Sequence, residues 1–242
     1  VQLYQTYHST THLFFRMEFG GPENLYRRLT HRQKEGDAQR PLPLAKVITL
    51  LTQIITVVTH MHLGPHVCHR DLKPENIIVQ DLPTLPFFMK LADFDLAAVQ
   101  QGNSMFRTPC GTVPFTAPEV LLQREYRGMS ADVWSLGIVI LEVLCGLRIV
   151  EKMLSILDNH VPRRSGERLD DSIGQKIRSA FSAPGTAGSW LEERCRSELQ
   201  SLIPAMKPFM VGMLNIDPKL RWTSEQLLEA AQQSLSPPGL ET

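Results

Sequence analysis

Leu44, Val47, Ile48, Leu51, Ile54, Ile55, Val58 and Met61 recur at helical spacing, with Thr49, Thr52, Gln53, Thr56 and Thr59 between them. The pattern predicts an amphipathic core helix. Many of these residues are β-branched, which favours strand, but about twenty residues are too many for one ordinary strand. A second apolar stretch runs from Val133 to Val150, with Asp132 before it and Glu142 and Arg148 inside it. An aspartate or arginine near the centre of a membrane span costs about 2.5 to 3.5 kcal/mol, so this stretch predicts a helix buried in a lobe, not a span. The run Phe87 to Leu91 reads as a strand, Glu23 to Leu29 as a short helix, and polar residues 31–41 as the linker to the long helix. Residues 159–189, rich in Pro, Arg, Ser, Gly and Asp, predict loops with a short helix. Thr223 is a candidate N-cap for a final helix, with Glu225 shortly after it, and residues 231–242, which contain Pro237-Pro238-Gly239, predict a frayed terminus.

Composition narrows the class. The 242 residues suit one domain with a sizeable core, and 43% hydrophobic with 21% charged excludes a fibre or a disordered chain. Lysine plus arginine equals aspartate plus glutamate at 25 each, so net charge gives no pull toward nucleic acid or an anionic membrane. Cys68, Cys110, Cys145 and Cys195 are widely spaced with no Cys-x-x-Cys pair, which predicts reduced thiols in an intracellular, cytoplasmic setting. His60, His62, His66, Cys68 and His69 are all competent zinc ligands. His60 and His62, however, lie two apart at a helix end and point to different faces, so they cannot chelate together.

The chemistry lies in His69-Arg70-Asp71-Leu72-Lys73-Pro74-Glu75-Asn76, which sets a carboxylate, an ammonium and an amide at fixed offsets in one short loop. That set suits phosphoryl transfer. The octapeptide resembles the catalytic loop of eukaryotic serine/threonine protein kinases, and the resemblance continues in order. Asp93-Phe94-Asp95 looks like the magnesium-binding triplet with its glycine replaced, Cys110 to Phe115 like the substrate-facing turn, and Ala117-Pro118-Glu119 like the close of a calcium/calmodulin-type activation segment. Asp132 to Gly137 resembles the start of the central helix, and Leu214, Asp217, Pro218 and Arg221 the late helical signature.

The resemblance implies an α+β, kinase-like fold with a mostly helical C-terminal lobe. Residues 1–230 would form a partial kinase domain, with 1–19 the last strands of the small lobe and the hinge and 20–230 the large lobe. It implies transfer of the γ-phosphoryl of ATP to serine or threonine hydroxyls of a protein substrate, with Mg2+. Asp71 would orient the hydroxyl and take its proton, Lys73 would meet the phosphate, and Asn76 and Asp93 would hold metal. Met17, Glu18, Phe19, Gly20 and Ile78 would surround adenine. Thr112 would contact Asp71 and Lys73, and Arg70 would pair with a phosphate placed on Thr108 by an upstream activating kinase. His69 would pack beneath Phe94 in a stack shared with Leu3, Asp132 would brace the catalytic loop, and Arg221 would pair with Glu119. The family's glycine-rich loop, strand lysine and helix glutamate are not in the sequence, which predicts a fragment or truncated product that binds ATP weakly and catalyses poorly. Asp95 in place of a glycine predicts restricted movement of the triplet, because a β-carbon limits positive φ. The alternative is a non-catalytic kinase-like module that serves as scaffold or regulator.

Overall fold

The computed structural model describes residues 1–30, 42–82, 86–123, 125–156, 169–183 and 185–235. The linker expected at 31–41 and residues 159–168 of the expected loop region lie outside these. An antiparallel hairpin opens the chain: β1 (Leu3–His8) pairs with β2 (Leu13–Met17), from Leu3 opposite Met17 to His8 opposite Leu13. Apolar side chains sit on both faces of this ribbon, and Leu3, Tyr4, Tyr7, Leu13, Phe14, Phe15 and Met17 are each 44–56% exposed. The Val1 ammonium donates to the Leu91 carbonyl at 2.9 Å and Glu18 pairs with Lys90, which seats the hairpin on the rest of the molecule.

Glu23 and Asn24 form a short strand, β3, rather than the start of a helix. The Asn24 Oδ1 accepts the Arg27 amide at 2.9 Å, an N-cap that delays α1 to Leu25–Thr30. The periodic stretch forms α2 (Leu44–Leu63), burying Val47, Ile48, Leu51, Ile54, Ile55, Val58 and Met61. Thr49, Thr56 and Thr59 return their hydroxyls to carbonyls four residues back, at 2.8–2.9 Å, so the polar atoms of this β-branched helix are satisfied locally. His62 is buried and His60 exposed, as their different faces require.

Strands β4 (Val67–Cys68), β5 (Ile77–Gln80), β6 (Phe88–Leu91) and β7 (Ala98–Val99) follow. All pairings are antiparallel, in the order β3-β5-β6 for one sheet and β4-β7 for another. Gln53 of α2 fastens the helix to this region, its Oε1 accepting the Met89 amide at 2.9 Å. Helices α3 (Pro118–Leu122) and α4 (Gly128–Cys145) come next, and α4 is the core of the lobe. Trp134, Leu136, Ile138, Val139, Ile140, Leu141, Val143 and Leu144 are essentially inaccessible. Each such burial contributes roughly 1.5–3 kcal/mol.

The stretch Val133 to Val150 is therefore not one helix. Gly146, at φ 102°, ends α4, and a separate α5 spans Ile149–Met153. Two further helices, α6 (Leu169–Phe181) and α7 (Thr186–Arg194), occupy much of the region expected to hold loops with a short helix. Helices α8 (Ile203–Met213) and α9 (Ser224–Ser234) complete the lobe. Thr223 caps α9 in a reciprocal box with Gln226, not Glu225. Ala231 and Leu235 are buried, so residues 231–235 belong to the fold, and 236–242 lie outside the described residues. Helices α2 and α4 are long and apolar enough to cross a membrane, but both pack into the core of this lobe.

Candidate active site

Asp132, wholly buried near the start of α4, organises the site from below. Its Oδ2 accepts the His69 amide at 2.7 Å and the His62 ring at 3.0 Å, and its Oδ1 accepts the Arg70 amide at 2.8 Å. Those bonds hold Arg70 in the left-handed region, at φ 65°. His69 Nε2 meets the Ala92 carbonyl at 3.0 Å, and since a carbonyl only accepts, the proton sits on Nε2. Nδ1 is then free to accept the Asp71 amide at 3.4 Å. The His69 ring packs against Phe94, with centroids 4.9 Å apart. Leu3, expected in the same stack, is 50% exposed in the hairpin.

The Asp71 carboxylate closes a triangle. Lys73 Nζ donates to Asp71 Oδ2 at 2.7 Å and to Thr112 Oγ1 at 2.9 Å, and Thr112 Oγ1 donates to Asp71 Oδ1 at 2.8 Å. Asn76 Nδ2 donates to the Asp71 main-chain carbonyl at 2.9 Å and to Oδ2 at 3.3 Å, which turns the amide oxygen away from Asp71. The Ala92 amide bonds the Asn76 carbonyl at 2.9 Å, one residue before Asp93. Asp93 is exposed and carries the positive φ of its triplet, 61°. Asp95 does not have a positive φ, so its β-carbon meets no backbone strain in this arrangement. In this turn the left-handed residue stands two positions earlier, at Asp93.

The activation segment lies over this loop. Gly111, at φ 109°, comes so close that a Cβ there would stand 3.0 Å from the Arg70 carbonyl oxygen and 2.8 Å from Thr116 Oγ1. The Arg70 Nε donates to the Leu96 carbonyl at 2.7 Å, and its guanidinium sits 4.8 Å above the Phe106 ring. Thr108 is exposed. Below, Arg221 grips Glu119 with both terminal nitrogens, at 2.6 and 3.0 Å, with both side chains essentially inaccessible. Toward the hinge, Ile78 packs against Gly20 and Gly21, Gly20 is buried, and Glu18 is engaged with Lys90. Met17 and Phe19 face outward, Phe19 at 82% exposure.

Two residues here have no motif to announce them. Tyr126 reaches the activation segment through its hydroxyl, which donates to the Thr108 carbonyl at 3.0 Å. Glu142, on α4, accepts the Arg148 amide at 2.7 Å, and burial, aided by the charges of Glu151 and Glu75, pushes its carboxyl up to about 8. Its one signal in sequence is a charge inside an apolar run.

A helical lobe that braces a carboxylate, an ammonium and an amide in one loop is an arrangement suited to phosphoryl transfer. Residues 1–231 match the protein kinase domain, and the chain belongs to that family, among its serine/threonine members. It is 28% identical over 232 residues to the serine/threonine-protein kinase DCLK3 of Mus musculus, covering 95% of this chain and 25% of that protein. It is 27% identical over 227 residues to the probable serine/threonine-protein kinase HSL1 of Saccharomyces cerevisiae, covering 94% and 12%. With the putative CBL-interacting protein kinase 13 of Oryza sativa subsp. japonica it shares 36% over 150 residues, 60% of this chain and 27% of the relative. The chain thus spans 12–27% of the length of these relatives. The family in general uses ATP and Mg2+ and acts on proteins.

Proposed function

We propose that the protein transfers the γ-phosphoryl group of ATP to serine or threonine hydroxyls of a protein substrate. The observation that carries this is the closed triangle of Asp71, Lys73 and Thr112 with Asn76 bonded to Asp71. Asp71 orients the incoming hydroxyl and accepts its proton, while Thr112 fixes the substrate-facing turn against that carboxylate. Lys73 sets a positive charge where the transferring group carries negative charge. The Asn76 amide oxygen and the Asp93 carboxylate are hard oxygen donors, which fits a magnesium ion. When bound, that ion offsets phosphate charge. Main-chain groups of Glu18, Phe19 and Gly20 face the adenine, with Met17 and Ile78 flanking it. His69 with Phe94, Asp132, and Glu119 with Arg221 are the structural supports, and Thr108 is the acceptor for an upstream kinase, its phosphate directed toward Arg70.

The same reading assigns residues 1–19 to the end of the small lobe and the hinge, and 20–230 to the large lobe. Four free thiols support an intracellular setting. The test is phosphotransfer by the full-length protein to a serine-containing peptide, read by mass spectrometry. Asp71→Asn should lower the rate by about 10²- to 10⁴-fold, the usual contribution of a positioned general base. An unchanged rate would remove Asp71 from the chemistry and the reading with it.

A further inference from the structure

Left-handed backbone at a residue with a side chain is unfavourable and persists only where the surroundings over-determine it. Arg70, immediately before Asp71, is such a residue. Asp132 holds its main chain from the core side, and the activation segment holds its side chain from the other. The guanidinium contacts there are the Leu96 carbonyl at 2.7 Å, the Phe106 ring at 4.8 Å and the Tyr126 hydroxyl at 3.5 Å. None of these partners is an anion. Among the described residues Arg70 takes part in no ion pair.

Tyr126 gathers the segment around that cation. Its hydroxyl donates to the Thr108 carbonyl at 3.0 Å and lies 3.5 Å from Cys110 Sγ. Its main chain exchanges hydrogen bonds with Phe106 at 2.9 and 3.0 Å, and the two rings sit 5.8 Å apart. Burial raises the phenol above its ordinary range, so it remains a donor at neutral pH. One side chain therefore joins Thr108, Phe106 and Arg70.

We propose that Tyr126 is a positioning residue: with the Leu96 carbonyl and the Phe106 ring, its hydroxyl holds Arg70 on the activation segment before any phosphate is added, so Asp71 is set for transfer in the unphosphorylated protein. This deepens, and rests on, the kinase reading above. A phosphate at Thr108 then adds charge to an arrangement already formed. Its effect on rate is small while Tyr126 is intact and large once the hydroxyl is gone.

Tyr126→Phe deletes the hydroxyl contacts and keeps the ring and the backbone bridge. The full-length protein, dephosphorylated and checked by mass spectrometry, is assayed for transfer to a serine peptide as wild type, Thr108→Ala, Tyr126→Phe and Asp71→Asn. Thr108→Ala should stay within about twofold of wild type, whereas Tyr126→Phe should lower kcat about tenfold, with KM for ATP changed by less than about twofold. Phosphothreonine installed at position 108 by genetic encoding should restore kcat in Tyr126→Phe, a rescue that a merely structural defect would not show. The proposal is overturned if dephosphorylated wild type and Thr108→Ala are both inactive while phosphothreonine at position 108 switches transfer on, or if Tyr126→Phe keeps wild-type kcat. Transfer that survives in Asp71→Asn sinks the kinase reading instead. If no form transfers phosphate, amide exchange across residues 106–116 of the unphosphorylated protein decides: faster exchange in Tyr126→Phe supports the proposal, and equal exchange overturns it.

Discussion

Glu142→Gln isolates the cost of one buried carboxyl. The Glu142 side chain is 2% exposed on the core helix, with a single hydrogen bond shown to its carboxylate, from the Arg148 amide. Burial pushes its carboxyl up from 4.5 to about 8. The folded state therefore keeps a proton that the unfolded chain releases, and stability falls as pH rises from about 4.5 to about 8. At 1.36 kcal/mol per unit, the full penalty above that window is at most about 5 kcal/mol, and about half of it is a fair expectation after relaxation. Glutamine retains an acceptor for the Arg148 amide and never ionises. Glu142→Gln should thus raise Tm by about 5–10 °C at pH 8.5 and by no more than about 2 °C at pH 5, given that 1 kcal/mol shifts a domain of this size by about 2–4 °C. The assay is thermal unfolding of both proteins at both pH values, compared as a double difference so that other titrating groups cancel. A shift of equal size at pH 5 and pH 8.5, or a loss of stability at pH 8.5, would refute the reasoning.

Two further perturbations probe the supports of the site. Arg221→Met leaves the buried Glu119 carboxylate unpaired and should destabilise by about 3–5 kcal/mol in urea unfolding, while the double change with Glu119→Gln should recover part of that loss. Asp132→Ala strips partners from the His69 and Arg70 amides and the His62 ring, and should lower stability by about 3 kcal/mol and transfer activity more than stability alone explains, seen by assaying well below the melting temperature.

The residues that meet at Asp71 were legible wherever they are contiguous. His69 to Asn76 fit one loop because a short segment fixes its own geometry, and Asp93 follows a strand whose apolar run is plain. The pairing of Glu119 with Arg221, 102 residues apart, came from the resemblance and not from spacing, because no local rule joins them. Tyr126 was invisible for the same reason. Residues 159–189, read as loops with a short helix, hold α6, and Ile173, Ile177 and Phe181, four apart and buried, carry the helical stripe that marks it. The break at Gly146 was overridden by the hydrophobicity on either side of it. At Asp95 the expectation concerns movement between two arrangements, and a single backbone, in which Asp93 and not Asp95 has the positive φ, carries no information on it.

The grip of Asp132 on two successive loop amides has a consequence for how the molecule fails. Local opening releases parts of a protein that few core contacts restrain, whereas groups fastened to the deepest element separate only when that element does. Here the residues on either side of the His69-Arg70 peptide hang from an inaccessible carboxylate on α4. The loop that carries Asp71 therefore belongs to the last cooperative unit to unfold. Heat or denaturant that frays the exposed hairpin first leaves the Asp71 geometry standing, and its loss coincides with global unfolding of the lobe.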